Sequence, residues 1–353
     1  MDVPITARII DAIESWDPLR DPLRWPDERF DALALEVFAH QYASIEAYRT
    51  FCEHQGASPA TVHHYRDIPP IPTDAFKFVR FAARHPIVRT FRTSGTTLDE
   101  RGEHHFSTLD VYRASLHPTF VRFLNPEQER LRMLIIAPPA EDMLESSLSF
   151  MLSELIERWG DAGSRFFVRA REGSWSMNFD ALEEALDQAI EDGARTMLLG
   201  TAFGFVEFFD STTRSFALPT GSRLLETGGF KGKSREVSRE ELYEEFRDRL
   251  GIALTHCVSE YSMTELSSQA YSDSLSRKSA EQVRLRLPPW ARVEIVDPLS
   301  LRVLDEPGKR GLIRWYDLAN VDSILGIQTS DIGIADADGG FILLGRAPEA
   351  ELR

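Results

Sequence analysis

The residue types best suited to chemistry appear first at Phe91 to Thr97, FRTSGTT. Thr93, Ser94, Gly95, Thr96 and Thr97 in succession make poor helix and poor core, but they supply hydroxyls and unhindered backbone N–H groups. A glycine there lets the backbone approach an anion, and neighbouring N–H and hydroxyl groups can surround phosphate oxygens without a fixed lysine. Taken alone, the heptapeptide reads equally well as a polar surface turn.

Three further stretches weigh on that choice. ETGGFKGKS, Glu226 to Ser234, follows a strand pattern and precedes a helix. It misses the GxxxxGK[ST] phosphate loop by one position, because Thr227 stands where the first glycine belongs. YSMTE, Tyr261 to Glu265, closes another strand pattern, and a Thr beside a Glu there suits a phosphate or acyl oxygen and a Mg²⁺ ion respectively. Near the end come TSD, Thr329 to Asp331, and LGR, Leu344 to Arg346. An Asp can accept both hydroxyls of a ribose, and an Arg can neutralise phosphate. Each stretch also has an ordinary explanation as a cap, a turn or a surface charge.

The elements that must position these residues follow from periodicity. Residues 1–66 read as helical, with Ile9, Ile13 and Trp16 on one face and Leu33, Val37, Phe38 and Tyr48 continuing after a Pro-rich break. IPPIPTDAFKFV leads stiffly toward the hydroxyl loop, with Phe76 and Lys77 either facing a site or simply packing and solvated. RLRMLIIAPP, TMLLG, SRLLE and the run before YSMTE read as strands, alternating with helices at SSLSFMLSELIERWG, ALEEALDQAIEDGAR and SREELYEEFRDRLG. That rhythm belongs to an α/β layer with a parallel sheet. From about Val293, short strands with turn signals predict an antiparallel or barrel-like part. The expected division is a helical layer at 1–66, an α/β nucleotide- and acyl-binding core at 67–288 and a smaller β-rich subdomain at 289–353.

Composition narrows the function. A formal net charge of −16 over 353 residues repels polyanions, which argues against nucleic acid as a partner. No run of about 18 apolar residues exists to span a membrane, and the acidic start is not a signal peptide. Cys52 and Cys257, the two cysteines, make neither a disulfide framework nor a CxxC site and predict a reducing cytoplasm. Cys257, next to His256, reads as a small buried hydrophobe more readily than as a nucleophile. The pairs His63/His64 and His104/His105 diverge on any regular element and lack the spacing of metal ligands.

Together, TSGTT, SSLSFM, ETGGFKGKSRE, YSMTELSSQAY, TSDIG and LGRAPEAELR resemble the AMP-forming adenylating ligases, and among them the LuxE-like acyl-protein synthetases, from about Ile68 onward. The resemblance implies an enzyme that uses ATP and Mg²⁺ to convert a carboxylic acid, fatty or otherwise apolar, to an acyl-adenylate and passes the acyl group to a thiol. It implies that Thr93, Ser94, Gly95, Thr96 and Thr97 hold the ATP phosphates and that Gly228 and Gly229 pack beside the adenine. Tyr261 would lie near the nucleotide, Thr264 would contact the α-phosphate, Glu265 would bind Mg²⁺, and Asp331 would hold the ribose with Arg346 close by. His256 is the candidate lining an acyl pocket. An acyl reductase or acyl carrier is the implied partner. The family's larger relatives carry a mobile C-terminal domain with a catalytic lysine, and the expectation for this chain is that the domain is absent. The short relatives hold an acyl-accepting cysteine near the C-terminus, whereas no cysteine follows Cys257 here. Two other readings stay open: a ligase for an aromatic or secondary-metabolite acid, and a non-catalytic nucleotide-binding protein on the same fold.

Overall fold

The alternation of apolar and amphipathic runs becomes a mixed α/β architecture in the computed structural model, which describes residues 3–94, 101–171, 174–228, 237–277, 283–306 and 308–347. In chain order the elements are α1 (Ile5–Glu14), α2 (Asp27–Ser44), α3 (Glu46–His54), β1 (Ile71–Pro72), β2 (Arg89–Arg92), β3 (Glu103–Phe106), α4 (Asp110–Phe123), β4 (Arg132–Ile136), α5 (Ser147–Trp159), β5 (Arg165–Phe166), β6 (Val168–Arg171) and β7 (Ser174–Met177). They continue with α6 (Phe179–Glu191), β8 (Thr196–Thr201), α7 (Ala202–Ser211), β9 (Arg223–Thr227), α8 (Arg239–Leu250), β10 (Cys257–Tyr261), β11 (Ala270–Ser272), β12 (Leu285–Arg286), β13 (Ala291–Val296), β14 (Arg310–Asp317), β15 (Gly326–Ala335) and β16 (Phe341–Arg346). These elements form two compact units, one of Met1–Thr119, Ser262–Ala270 and Arg284–Arg353, the other of Phe120–Tyr261 and Tyr271–Val283.

The second unit is the parallel layer. Strands β5, β4, β8, β9 and β10 lie side by side and parallel, and the apolar runs of the central β4 and β8 are explained by burial on both faces. Helix ends match their caps: the Ser146 side chain accepts from the Ser149 N–H at the start of α5, and Ser238 with Glu241 forms a reciprocal capping box on α8. Two local features escape periodicity. SRFFVRA divides into β5, which pairs with β4, and β6, which turns away to pair with β7. AFGFVEFFDS is short and mostly apolar, its polar residues Glu207, Asp210 and Ser211 lying on its less buried side, yet it forms α7, started by the Thr201 hydroxyl accepting from the Gly204 N–H at 3.0 Å.

In the first unit, β13, β14, β15 and β16 form an antiparallel ladder. Strand β15 changes partners along its length: Ile327 and Gln328 pair with β1, whereas Asp331 to Ala335 pair with β16. TSD therefore lies where one neighbour gives way to the next. The N-terminal helices bring their aromatic residues to this ladder. Trp16 meets the Trp290 ring edge-on at 5.4 Å between centroids, and the Phe30 and Tyr316 rings flank Tyr65 at 5.2 and 5.1 Å. Buried Gln41 of α2 reaches the turn after β14, donating to the Asn320 carbonyl at 2.9 Å and accepting from the Leu325 N–H at 3.1 Å.

Candidate active site

The hairpin β2–β3 carries the hydroxyl-rich loop of the first unit, with Arg92 opposite Glu103. Thr93 closes its base: its N–H donates to the Gly102 carbonyl at 2.9 Å, and its hydroxyl accepts from the Gly102 N–H at 2.9 Å. That role leaves the hydroxyl proton for a further acceptor. The Arg101 Nε also donates to the Thr93 carbonyl, at 2.6 Å. Ser94 is exposed beyond the base, while Gly95, Thr96 and Thr97 lie outside the described residues.

Glu265 comes to the same place. A Cβ on Gly102 would stand 3.2 Å from the Thr93 Cγ2, 3.5 Å from the Glu265 Oε1 and 3.5 Å from the Phe76 Cβ. A side chain there would be tight against Thr93 and in ordinary contact with Glu265 and Phe76, so Gly102 is the point where loop base and carboxyl come together. Glu265 is 6% exposed, and burial, opposed by its own backbone N–H and by Arg346, raises its carboxyl to about 7, with Asp331 and Asp74 adding to the rise. Asp331 and Arg346 are direct cross-strand partners in β15 and β16, and Arg346 Nε donates to the Ser330 hydroxyl at 3.0 Å. The structure thus brings Thr93, Thr264, Glu265, Asp331 and Arg346 into one unit. Asp74 follows directly from the partner switch of β1 on β15, and it forms an ion pair with Lys77 at 2.7 Å.

Buried polar groups pin the backbone around Glu265. His104 on β3 donates from Nδ1 to the Thr264 carbonyl at 2.9 Å. Asn320 Nδ2 donates to the Glu265 carbonyl at 2.8 Å and to the Ile324 carbonyl at 3.0 Å. Asp317 accepts from the N–H groups of Ser267 and Ser268 at 3.0 and 2.9 Å, and from the Ser268 hydroxyl at 2.7 Å. Burial raises Asp317 to about 6, against the pull of these donors and of the Ala319 N–H. Burial likewise lowers His104 to about 4, so its ring is neutral at physiological pH. Losing one partner of a buried polar group costs about 1–3 kcal/mol, so residues 264–268 are held by bonds that are each expensive to break. Sequence reasoning missed Asp317, Asn320 and Gly102, and it weighed His104 only as a metal ligand. The DLAN run at the end of β14 was the available signal, though nothing in it says which backbone it serves.

The second unit holds the remaining candidates. Gly228 follows β9 with φ +73°, and a Cβ there would meet nothing within 4 Å, so its need for glycine lies in the backbone angle. Gly229 lies outside the described residues. Tyr261 ends β10 and is 8% exposed. His256 is half-buried; burial lowers its pKa, with Arg223 adding to the fall and Glu127 opposing it. Cys257 is fully buried and its thiol is pushed well up by burial, which disfavours the thiolate a nucleophile requires.

Whether these residues fit Mg²⁺ is a question about Glu265. A buried carboxyl driven toward neutrality is stabilised as the carboxylate by a nearby cation. Mg²⁺ commonly takes one or two protein carboxylates and completes its shell with phosphate oxygens and water. Glu265 fits that demand; among the described residues no group of three or more His, Cys, Asp and Glu converges on a metal position.

Comparison with known proteins bears on the family and the fold. A family model described as Acyl-protein synthetase, LuxE, matches residues 3–341. No curated protein matches the chain significantly. Among solved structures, ATP-bound MatB from Rhodopseudomonas palustris aligns with TM-score 0.53 and 18% identity over 75% of this chain and 49% of that chain. The chain therefore spans about half the length of MatB. An open conformation of 2-hydroxyisobutyryl-CoA ligase, in complex with 2-HIB-AMP and CoA, aligns with TM-score 0.66 and 14% identity over 94% of this chain and 75% of that chain. At such identities the likeness is one of fold, that of the adenylate-forming ligases.

Proposed function

Because the chain belongs to the LuxE acyl-protein synthetase family, we propose that it activates a carboxylic acid with ATP and transfers the acyl group to a thiol. The observation that carries this reading is the meeting of Thr93 and Glu265 over Gly102, which joins the base of a hydroxyl-rich loop to a buried carboxyl. In the first half-reaction a carboxylate oxygen of the acid attacks the α-phosphorus of ATP, the bond to the bridging oxygen of pyrophosphate breaks, and the acyl-adenylate remains. In the second, a thiolate attacks the acyl carbon and AMP leaves.

Positioning and charge neutralisation do most of this work. The hydroxyl-rich loop that begins at Thr93 and Ser94 receives the phosphates, and the Thr264 hydroxyl donates to an α-phosphate oxygen. Asp331 accepts from the ribose hydroxyls, with Arg346 opposite it supplying positive charge. Glu265 would hold Mg²⁺, whose chemistry when bound is to neutralise the charge that builds on the phosphate oxygens. The acid is taken to be fatty or otherwise apolar, the work to take place in the cytoplasm, and the acceptor to be a thiol of a carrier or acyl reductase partner. The raised thiols of Cys52 and Cys257 favour an acceptor other than these two.

ATP/pyrophosphate exchange across acids from acetate through tetradecanoate to benzoate tests the proposal. Exchange with long-chain acids supports it as stated, and exchange with benzoates alone redirects the substrate to aromatic acids. Silence with every acid, in protein that still binds ATP, would overturn adenylation.

A further inference from the structure

The hydrogen bond from His104 to the Thr264 carbonyl joins two parts of the site that the chain keeps far apart. His104 lies on β3, the second strand of the hairpin whose base is Thr93 and Gly102, and its bond partner is 160 positions away at 2.9 Å. A carbonyl can only accept, so the bond requires a proton on Nδ1. The ring is 1% exposed and is wedged between Phe76, at 6.3 Å, and Phe106, at 4.2 Å between centroids. Its orientation is therefore set by packing on both sides. The other two anchors, Asn320 and Asp317, come from the end of β14 and the turn beyond it, and neither touches the hairpin in this way. Of these three anchors, His104 is the one that sits on the β2–β3 hairpin.

We propose that His104 is a positioning residue for adenylation: its Nδ1–H donor holds the Thr264 carbonyl so that Thr264 and Glu265 stay in register with Thr93 and Gly102 at the base of the same hairpin. The assignment rests on the adenylation reading above. If the bond is lost, the loop base and the Thr264–Glu265 backbone can shift independently, although each remains anchored by its own contacts. His256, the candidate for the acyl pocket, takes no part in this bond, so KM for the acid is expected to be unchanged.

Two substitutions of similar polarity separate position from mere presence of a donor. In His104→Asn the side-chain amide nitrogen falls where Nδ1 lies; in His104→Gln it falls nearer Nε2. Pyrophosphate exchange is measured on the full chain with Mg²⁺ and ATP varied separately, alongside thermal unfolding. Hydrogen–deuterium exchange of residues 264–268 is followed without nucleotide. The Gln variant is expected to lose between about tenfold and hundredfold in exchange rate, to need more Mg²⁺ for half-maximal rate, and to exchange the 264–268 amides faster, with KM for the acid unchanged. The Asn variant is expected to stay within about threefold of the parent on every readout. Asn and Gln variants that behave alike, whether both active or both impaired, would overturn the assignment, and an impaired Asn variant does so even if the Gln variant does not fold. A parent protein that exchanges with no acid strikes the adenylation reading, and this assignment with it. An active parent with indistinguishable variants strikes the assignment alone.

Discussion

In the second unit, Leu134, Leu198, Phe205, Phe208, Leu224 and Phe246 fill the space around a parallel sheet with carbon, and Phe205 and Phe246 meet edge-on at 5.0 Å. In the first unit, much of what is buried is polar: Gln41, His104, Glu265, Asp317 and Asn320 are all 6% exposed or less. The two interiors do different work. Apolar burial stabilises in proportion to area, roughly 25 cal/mol per Å², and it is indifferent to direction. A buried hydrogen bond adds little net stability but is directional and costly to break. Both units gain stability from apolar burial, and the first, beside its own aromatic core around Trp290 and Tyr316, adds a cluster of buried polar groups that hold the backbone of residues 264–268 in one position.

Breaking each kind of interior separately tests that contrast. The largest expected effect is on activity: Glu265→Gln should reduce pyrophosphate exchange by about a hundredfold or more, while thermal unfolding shows an intact fold. A variant retaining near-normal exchange would remove Glu265 from the metal role. Next, Phe205→Ala in the second unit should cost about 3–5 kcal/mol in denaturant unfolding, yet leave KM for ATP unchanged when assayed well below the melting temperature. A raised KM with little loss of stability would erase the distinction between the units.

Asp322 sharpens the comparison within the first unit. Burial pushes its carboxyl up, but bonds from His40, Arg84 and Ser107 outweigh burial and hold it below the ordinary carboxylate value. Its contribution is complete above the unfolded value, near pH 4, and is lost as pH falls through the lower folded value. Asp322→Asn should therefore destabilise by about 2–3 kcal/mol at pH 7, with the gap to the parent closing in acid. An unchanged gap at pH 3 in urea titrations would contradict the ion-pair account. Gly102→Ala should slow exchange about tenfold, since the new methyl presses on Thr93 at the loop base, where Glu265 is already in contact. The smallest effect belongs to Cys257→Ala, expected to leave exchange within about twofold; native protein should resist thiol alkylation there until it unfolds, and rapid labelling would contradict its burial.

The strands and helices of the second unit were mostly legible because periodicity and caps are local signals. Ser146, Ser238 and the apolar run at 132–136 declare themselves within a few residues. α7 was not, because AFGFVEFFDS is short, is dominated by aromatic and small apolar residues, and has its polar residues confined to its second half. In the first unit the residues proposed to face the ligand, Thr264, Glu265 and Asp331, stand out in short motifs. Their anchors do not, since an Asp, an Asn or a His that will be buried looks the same in sequence as one that will be solvated. His104 shows the limit most clearly: adjacent histidines suggested a metal to be weighed, while the structure gives one ring to a distant carbonyl and the other to the Thr90 hydroxyl at 2.9 Å.

What the sequence determined by itself is the chemistry of the parts: an acidic α/β chain with a hydroxyl-rich loop, a Thr–Glu pair at a strand end, and an Asp and an Arg near its close. Residue type and local spacing are enough for that. The tertiary structure alone decided that Gly102 is the point where Thr93 and Glu265 meet, that Asp331 faces Arg346, and that His104, Asn320 and Asp317 secure residues 264–268. Those contacts join positions far apart along the chain, and only the strand order and register of the folded sheet bring them within hydrogen-bonding distance.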